Sequence, residues 1–265
     1  MSRGAAFRAL HRPGDPFVLM NAWDLGSAKM LAGMGAEAIG TSSAAHAFTL
    51  GRPDGRVSRD EALAHAAALA AAVAVPVSGD FENGWGDTAD SAAGIVRLAA
   101  EAGLAGISLE DVPSEGGVYD LALAVEKVSA AAAAARALPE DFVLCARADG
   151  VMTGAYDLAE AIRRVRAFAE AGADCVYVPL PGTAEDQAAV CAAVSVPVNA
   201  LAAGPMMRLS RAELAALGVA RISLGSSLAR ATHRVIEEAG RAILERGEFA
   251  AMKVMGGKDV DRYLG

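Results

Sequence analysis

Residues 75–86 read Val-Pro-Val-Ser-Gly-Asp-Phe-Glu-Asn-Gly-Trp-Gly, an apolar strand pattern that ends in two carboxylates and then in glycines. Because side chains alternate between the two faces of a strand, Asp80 and Glu82 leave on the same face. Two like charges held side by side disfavour each other's ionisation. The stretch therefore predicts a strand end that places a cation between its two acids.

The same pattern of an apolar strand ending in acids occurs twice more along the chain. Residues 106–111 read Gly-Ile-Ser-Leu-Glu-Asp, and residues 142–149 read Phe-Val-Leu-Cys-Ala-Arg-Ala-Asp. Three such strand ends, one of them with an arginine, indicate one site assembled from several strands.

Short apolar runs alternate with longer helical patterns along the whole chain. The runs predicted as strands lie at 16–20, 37–41, 75–80, 106–110, 142–148, 175–180, 196–201 and 220–225. Each is nearly all apolar, which is typical of parallel strands buried on both faces. The patterns predicted as helices lie at 26–34, 58–74, 87–103, 120–137, 156–172, 183–193, 210–217 and 226–247.

Strand–helix units without a linker-like segment favour an α/β fold, a single (β/α)8 TIM-type barrel over residues 1–265. Residues 226–265 form a C-terminal helical extension in this interpretation. The alternative is a doubly wound open sheet. In a barrel of this kind the chemistry sits at the carboxyl ends of the strands, where the acids and the arginine fall.

The composition narrows the classes of partner and compartment. Of the residues 54% are hydrophobic, and the formal charge is −8 without a basic block, which argues against nucleic acid and membrane surfaces as partners. Three cysteines without a CxxC pair suit a reducing compartment, so we expect a cytoplasmic protein. No signal-peptide pattern and no apolar run long enough to span a bilayer is present.

Carboxylate oxygens are the ligands of hard divalent cations. Mg²⁺ keeps several waters and takes only one or two carboxylates directly. Asp80, Glu82 and Glu110 are expected to supply one direct and two water-mediated contacts. The four histidines have no zinc-ligand spacing. A cation here would chelate a 2-oxo acid and stabilise an enolate.

Arg147 is the candidate for binding the carboxylate of such a ligand. It shares a strand face with Cys145 and Asp149, and we expect that face to point into the barrel mouth. A guanidinium there binds a carboxylate bidentately. The other interpretation of Arg147 is a buried ion pair with Asp149 or Glu110.

Further polar residues at strand ends are candidates for ligand contacts. The second predicted strand ends in Gly-Thr-Ser-Ser at 40–43, which offers hydroxyls and backbone N–H groups to oxyanions. Asn199, late in the seventh strand, is a candidate for the distal part of the ligand. His46 follows the serines closely enough to line the mouth.

Seven segments together resemble the isocitrate lyase/phosphoenolpyruvate mutase superfamily, in that family's order and over almost the whole chain. They are residues 21–24, 40–43, 51–55, 80–86, 107–111, 146–149 and 196–199. The resemblance implies a (β/α)8 barrel and Mg²⁺, with Mn²⁺ as the alternative ion. It also implies small 2-oxo or succinate-like carboxylates that are cleaved at a C–C or C–P bond through an enolate. Homo-oligomers, dimers or tetramers that exchange a C-terminal helix, are implied as well.

The resemblance assigns individual roles. Asp80 corresponds to the direct metal ligand, and Glu82 and Glu110 to the outer-sphere carboxylates. Catalytic roles fall to Arg147, Glu110 and Asp54, the acid on the loop after the second strand. The candidate substrate-binding residues are Trp23, Ser42, Ser43, His46, Arg147 and Asn199, of which His46 and Asn199 are chosen by their position in the sequence.

One segment departs from the family. Its lyases carry a Lys-Arg/Lys-Cys-Gly-His segment on the loop after the fourth strand, and here residues 111–120 contain no Cys, Lys or His. This argues against an isocitrate lyase mechanism and leaves chemistry that needs less proton delivery, such as hydrolytic cleavage of an oxaloacetate-like acid. Ser114 and Tyr119 are the hydroxyls available on this loop.

Three classes of function stay open from the sequence. The first is a Mg²⁺-dependent lyase or hydrolase. The second is a non-catalytic binder or sensor of 2-oxo acids that has kept the metal site. The third is a phosphate-binding barrel isomerase, which rests only on the glycine and serines of residues 225–227.

Overall fold

The eight strands close into a barrel in which every strand pairs in parallel with its neighbours in sequence, and β8 pairs with β1. The computed structural model describes residues 1–113 and 115–265. The strands are β1 Phe17–Asn21, β2 Ala38–Gly40, β3 Val77–Asp80, β4 Gly106–Glu110, β5 Val143–Arg147, β6 Cys175–Tyr177, β7 Val198–Leu201 and β8 Arg221–Ser223. The predicted (β/α)8 barrel is confirmed, and the open sheet is excluded.

Helices surround this barrel. They are α1 Arg3–Leu10, α2 Leu25–Gly33, α3 Ser43–Thr49, α4 Arg59–Ala72, α5 Ala89–Glu101, α6 Leu121–Arg136, α7 Gly150–Thr153, α8 Leu158–Glu170, α9 Ala184–Ala192, α10 Arg211–Ala216, α11 Ser227–Arg246 and α12 Gly257–Leu264. The sequence pattern did not predict α1, α3, α7 and α12, or a 3₁₀ helix at Gly204–Arg208. Each of these has at most eight residues, too few for a helical period to stand out.

Helix starts follow the capping chemistry of the sequence. Ser58 and Glu61 form a capping box at the start of α4. Thr88 and Ser91 form another at the start of α5. Because Thr88 caps α5 itself, Asp80 and Glu82 are not needed as its cap and remain available to the site.

Successive side chains of each strand point alternately toward the surrounding helices and into the interior of the barrel. Ile39, Val77, Ile107, Leu144 and Val176 alternate with the inward residues and belong to the main buried apolar cluster, together with residues of the surrounding helices. The inward positions at the carboxyl ends of β3, β4, β5 and β6 carry the polar side chains Asp80, Glu110, Arg147 and Tyr177. This alternation directs the acids and the arginine into one interior space.

The C-terminal part of the chain leaves the barrel. Only Ala229 and Ala242 of the 20-residue α11 are buried. Beyond it α12 packs against α2, where Lys29 Nζ donates to the carbonyl oxygen of Leu264 at 2.8 Å. Large apolar side chains stay exposed on this part, namely Val235, Ile236, Leu244, Phe249, Met252, Val254 and Met255.

Within residues 1–113 and 115–265, none of the helices combines the length and the apolar character needed to cross a membrane.

Candidate active site

A cavity of about 230 Å³ opens at the carboxyl ends of the strands. Its lining combines acids, hydroxyls and two arginines. The polar lining residues are Asn21, Thr41, Ser42, Ser43, Asp54, Ser78, Asp80, Ser108, Glu110, Arg147, Tyr177, Asn199, Arg221, Ser223 and Ser226. Most of the residues that sequence analysis singled out therefore meet in one place.

Asp80 lies at the end of β3 and is held by four donors. The backbone N–H and the hydroxyl of Ser43 donate to Oδ2 at 3.0 and 3.2 Å. The hydroxyl of Ser108 and Nη1 of Arg147 donate to Oδ1 at 3.1 and 2.7 Å. These contacts fix the position and orientation of the carboxylate at the cavity wall.

Arg147 at the end of β5 binds three carboxylates at once. Its Nη1 lies 2.7 Å from Asp80 and 3.0 Å from Glu110, and its Nε donates to Asp149 at 3.0 Å. The side chain is 10% exposed and its guanidinium also lies over the ring of Tyr177. The ion-pair interpretation is thus correct, and the same guanidinium lines the cavity.

Glu82 combines an unusual backbone with an unpaired oxygen. Its φ of 44° lies in the left-handed region that non-glycine residues rarely adopt. Its Oε1 is buried and has no hydrogen-bond partner among the described residues. Burial, together with the charges of Asp80 and Asp54, raises the pKa of Glu82 to about 7.

Glu110 and Asp54 complete the group of acids. Burial raises the pKa of Glu110 although Arg147 opposes the shift. Asp54 lies on the exposed loop after α3, yet its carboxyl lines the cavity. Burial of that carboxyl and the charge of Asp80 raise the pKa of Asp54. On this side of the cavity four acids therefore outnumber a single arginine, Arg147.

The donor set fits a hard divalent cation held largely through water. Among the residues that the structure describes, no three His, Cys, Asp or Glu side chains are arranged to ligate one ion directly. One direct carboxylate with water-mediated partners does not need such an arrangement. The buried Glu82 Oε1 lacks a donor, as expected of an outer-sphere acceptor. The excess of carboxylate charge favours the same kind of ion.

The predicted substrate-binding residues divide into two groups. Ser42, Ser43 and Asn199 line the cavity. Ser42 also caps α3, where its hydroxyl accepts from the N–H of Ala45. Asn199 is fully buried, with its amide donating to Ser223 Oγ at 2.9 Å.

His46 and Trp23 lie outside this lining. The ring of His46 stacks on His65 at 3.8 Å, in a small cavity behind the acids that it shares with Glu82. The carbonyl oxygen of Trp23 lies 3.0 Å from Nε2 of His65. His46 therefore lies behind the wall of the main cavity, and Trp23 is linked to it through the ring of His65.

The hydroxyl of Tyr119, on the loop after β4, is held away from the cavity by its hydrogen bonds. The Tyr119 hydroxyl donates to Asp87 and accepts from Lys127 at 3.2 Å. Ser114, the other hydroxyl expected here, lies outside the described residues. Asp111 is buried and pairs with Arg164 at 3.0 Å, so it braces a helix and does not belong to the cavity lining.

Sequence analysis missed several cavity residues. Ser108, Tyr177, Arg221 and Ser223 occupy inward positions of strands that read as apolar. The sequence did contain one signal for Arg221, because it is a charged residue inside a strand predicted to be buried on both faces.

The chain belongs to the phosphoenolpyruvate phosphomutase family, whose model matches residues 7–244. It is 40% identical over 223 residues to an uncharacterized protein of Mycobacterium tuberculosis, covering 83% of this chain and 82% of the relative. It is 32% identical over 230 residues to 2,3-dimethylmalate lyase of Eubacterium barkeri, covering 82% of this chain and 78% of the relative.

Solved structures agree with this assignment. A protein of Burkholderia cenocepacia, described provisionally as a lyase/mutase, has a TM-score of 0.94 and 43% identity, with 98% of this chain and 95% of that chain covered. A phosphonopyruvate hydrolase in complex with oxalate and Mg²⁺ has a TM-score of 0.86 and 26% identity, with 99% of this chain and 95% of that chain covered.

The predicted membership of the isocitrate lyase/phosphoenolpyruvate mutase superfamily is confirmed. The chain is an enzyme of the lyase and hydrolase type that this superfamily comprises, whose members cleave C–C or C–P bonds in small carboxylic acids.

Proposed function

We propose that this chain cleaves a C–C or C–P bond in a small 2-oxo carboxylic acid through an enolate, with Mg²⁺ as cofactor and Mn²⁺ as the alternative ion. The observation that carries the proposal is the group of acids around Arg147, with the partnerless Oε1 of Glu82 buried beside it. The phosphonopyruvate hydrolase that holds oxalate and Mg²⁺ is the relative that supports this combination of ligand and ion.

The acids divide the work of holding the ion. Asp80 is the proposed direct ligand, and Glu82 and Glu110 act through water. A bound divalent cation lowers the energy of an enolate by taking up part of its negative charge. The four donors around Asp80 keep the carboxylate oriented, and because they use both oxygens, one of them must give way when the ion binds directly.

The residues of the chain bind and orient the acid. Arg147 attracts the ligand carboxylate, which must share the guanidinium with Asp80, Glu110 and Asp149. The backbone N–H groups and hydroxyls around Ser42 and Ser43 take the oxo-acid end. Asn199 contacts the distal part.

Proton movement falls to the acids. Asp54 and Glu110 both have a raised pKa because of burial, and both line the cavity. Either is able to hold a proton closer to neutral pH than an ordinary carboxyl. Because the loop after β4 has no Cys, Lys or His, we favour hydrolytic cleavage of an oxaloacetate-like acid over an isocitrate lyase reaction.

The test is a panel of oxaloacetate, phosphonopyruvate, methylisocitrate and 2-oxoglutarate, each incubated with the protein and Mg²⁺ and followed by NMR. Loss of any one acid that depends on Mg²⁺ is the expected result. Heat stabilisation by an acid and Mg²⁺ without turnover would instead establish the non-catalytic binder. That second candidate is favoured by the loop without the Cys-Gly-His segment. Stabilisation by sugar phosphates without metal would establish the barrel isomerase.

We further propose that residues 1–265 act as one domain and assemble as a homo-oligomer, a dimer or tetramer, through residues 226–265. The exposed apolar side chains of α11 and of the segment after it support this, because large apolar side chains grouped on a surface mark an interaction site. Exchange of this helix between subunits is the proposed arrangement.

A further inference from the structure

Arg221 is a buried arginine at the first position of β8, with only 3% of its surface exposed, and it lines the main cavity. Its Nε donates to Asn199 Oδ1 at 2.9 Å, and its Nη2 donates to Sγ of Cys145 at 2.8 Å. Its Nη1 is buried and has no hydrogen-bond partner among the described residues. The guanidinium therefore has a free donor inside the barrel.

The charge of Arg221 is also unbalanced. No carboxylate of residues 1–113 or 115–265 forms an ion pair with it, in contrast to Arg147 and Arg164, the other buried arginines lying near acids. A guanidinium keeps its charge at every accessible pH, and a buried charge without a counter-charge is costly. Such a residue is expected where an anion arrives from outside the chain.

The position of Arg221 is opposite the group of acids. Following the strand register from Glu110 leads to Arg147, Tyr177, Asn199 and then Arg221, one inward residue on each strand from β4 to β8. In a closed barrel of eight strands, β8 faces β4 across the interior. The next residue in register, Phe17, is buried against Phe7.

We propose that Arg221 binds a second anionic group of the ligand, so that this cavity selects dianionic 2-oxo acids over monoanionic ones. The inference deepens the proposed function and rests on it. One end of the ligand lies at the acids of β3 and β4 with the cation, and the other end reaches the guanidinium at the floor. Arg221 is then a specificity-determining residue, and Asn199 orients it through Nε.

Cys145 is the competing counter-charge inside the protein. Burial alone raises the pKa of this thiol, but the hydrogen bond with Cys175 and the charge of Arg221 lower it to about 7. A thiolate at Cys145 would balance Arg221 without any ligand. The experiment therefore includes Cys145→Ser, which removes this possibility while a hydroxyl still accepts from Nη2.

The experiment compares two acids of equal length, 2-oxovalerate and 2-oxoglutarate, which differ only in a terminal methyl or carboxylate. Their dissociation constants are measured with Mg²⁺ for the wild type and for Arg221→Met, whose unbranched side chain occupies similar space without charge. We expect the wild type to prefer the dianion by roughly tenfold or more, as for a charge-assisted hydrogen bond. Arg221→Met should lose that preference and bind 2-oxovalerate as before. Arg163→Met, an exposed arginine of α8, is the matched control and should keep the wild-type ratio.

A wild-type ratio near one, or an unchanged ratio in Arg221→Met, would overturn the inference while leaving the proposed function in place. Loss of the preference for the dianion in Cys145→Ser would overturn the inference, because the Cys145 thiol and not Arg221 alone would then determine the preference. If Arg221→Met does not fold, Asn199→Asp places a carboxylate beside Nε and should abolish the preference by neutralising the charge.

A last measurement distinguishes failure of this inference from failure of the proposed function. If neither oxo acid binds the wild type with Mg²⁺ and no acid of the turnover panel is consumed, the proposed function fails, and glutarate is compared with valerate in the absence of metal. Heat stabilisation of the wild type by glutarate alone, absent in Arg221→Met, would still support the anion site. No stabilisation by either acid would overturn it.

Discussion

Arg147 on β5 reaches across β4 and places its Nη1 2.7 Å from Oδ1 of Asp80 on β3. The two residues are on alternate strands of the barrel, and both side chains are largely buried, 10% and 18% exposed. This pair joins the residue proposed to hold the ion to the residue proposed to hold the acid. Substituting Asp80 and substituting Arg147 should therefore have different effects.

Asp80→Ala is expected to remove Mg²⁺-dependent ligand binding and to lower turnover at least about a hundredfold, because the direct ligand is lost. Arg147 keeps Glu110 and Asp149 as partners, so the fold should persist. Calorimetry with Mg²⁺ and NMR turnover are the measurements. Asp141→Asn, another acid paired with an arginine, is the control and should behave like the wild type. Binding at unchanged affinity in Asp80→Ala would contradict the metal role.

Arg147→Lys is expected to weaken binding of a 2-oxo acid by more than about tenfold, because an ammonium cannot reproduce the planar fork of donors. The charge is conserved, so loss of affinity would report geometry and not electrostatics. The dissociation constant at fixed Mg²⁺ is the measurement, with circular dichroism to check the fold. An affinity within twofold of the wild type would argue against the carboxylate-binding role.

Lys127→Met tests how the loop that carries Glu82 is held. The buried Lys127 Nζ donates to the carbonyl oxygens of Asn83 at 3.0 Å and of Gly86 at 2.5 Å. Losing it removes these two hydrogen bonds, and the loss of a hydrogen bond to a buried group costs about 1–3 kcal/mol. We expect a lower melting temperature and a weaker affinity for Mg²⁺, since Glu82 then loses its support.

A change in stability alone, with the Mg²⁺ affinity unaltered, would limit Lys127 to a structural role. Arg136→Met, which removes a hydrogen bond to the carbonyl oxygen of Gly172 elsewhere on the surface, is the matched control.

Stability should depend on His65 under mildly acidic conditions. Burial and the stacked His46 lower the pKa of His65 from 6.5 to about 4. Between these values the unfolded chain binds a proton that the folded chain does not, so unfolding becomes easier as the pH falls. The contribution of His65 is complete above 6.5 and is lost as the pH falls toward 4.

Chemical denaturation of the wild type and His65→Gln across this range is the measurement. The variant should show a shallower decline, because the glutamine does not titrate. An identical slope in both proteins would place the acid sensitivity elsewhere, for instance at His11, whose pKa burial lowers to about 3.

Ile236→Glu tests the proposed assembly. Ile236 is 67% exposed on α11, and a charge at this position would be buried if α11 is covered by another subunit. Light scattering should then report a smaller particle than for the wild type, with the barrel still folded by circular dichroism. Arg234→Glu, on the same helix, controls for added negative charge alone. Equal masses for all three proteins would contradict an interface at this position.

Much of the site could be predicted before any coordinates, because the spacing of two residues along a strand determines whether their side chains point to the same face. Asp80, Glu110 and Arg147 close apolar strands, and the carboxyl ends of parallel strands converge at one rim. The absence of Cys, Lys and His between residues 111 and 120 is likewise a property of the sequence alone.

Side-chain partners that come from distant parts of the chain required the tertiary structure. Sequence order does not show that His46 stacks on His65 behind the wall. Nor does it show that Ser42 caps a short helix, or that Arg147 is shared by three carboxylates. These contacts depend on strand stagger and loop conformation, which no local pattern encodes.

Local alternation therefore determined which side chains of this protein face the interior, since the period of a strand is set by the backbone itself. Only closure of the barrel decided which of them meet. It placed β8 opposite β4 and left Arg221 without a carboxylate partner among residues 1–113 and 115–265, because charge balance is a property of the space around a residue and not of its neighbours in sequence.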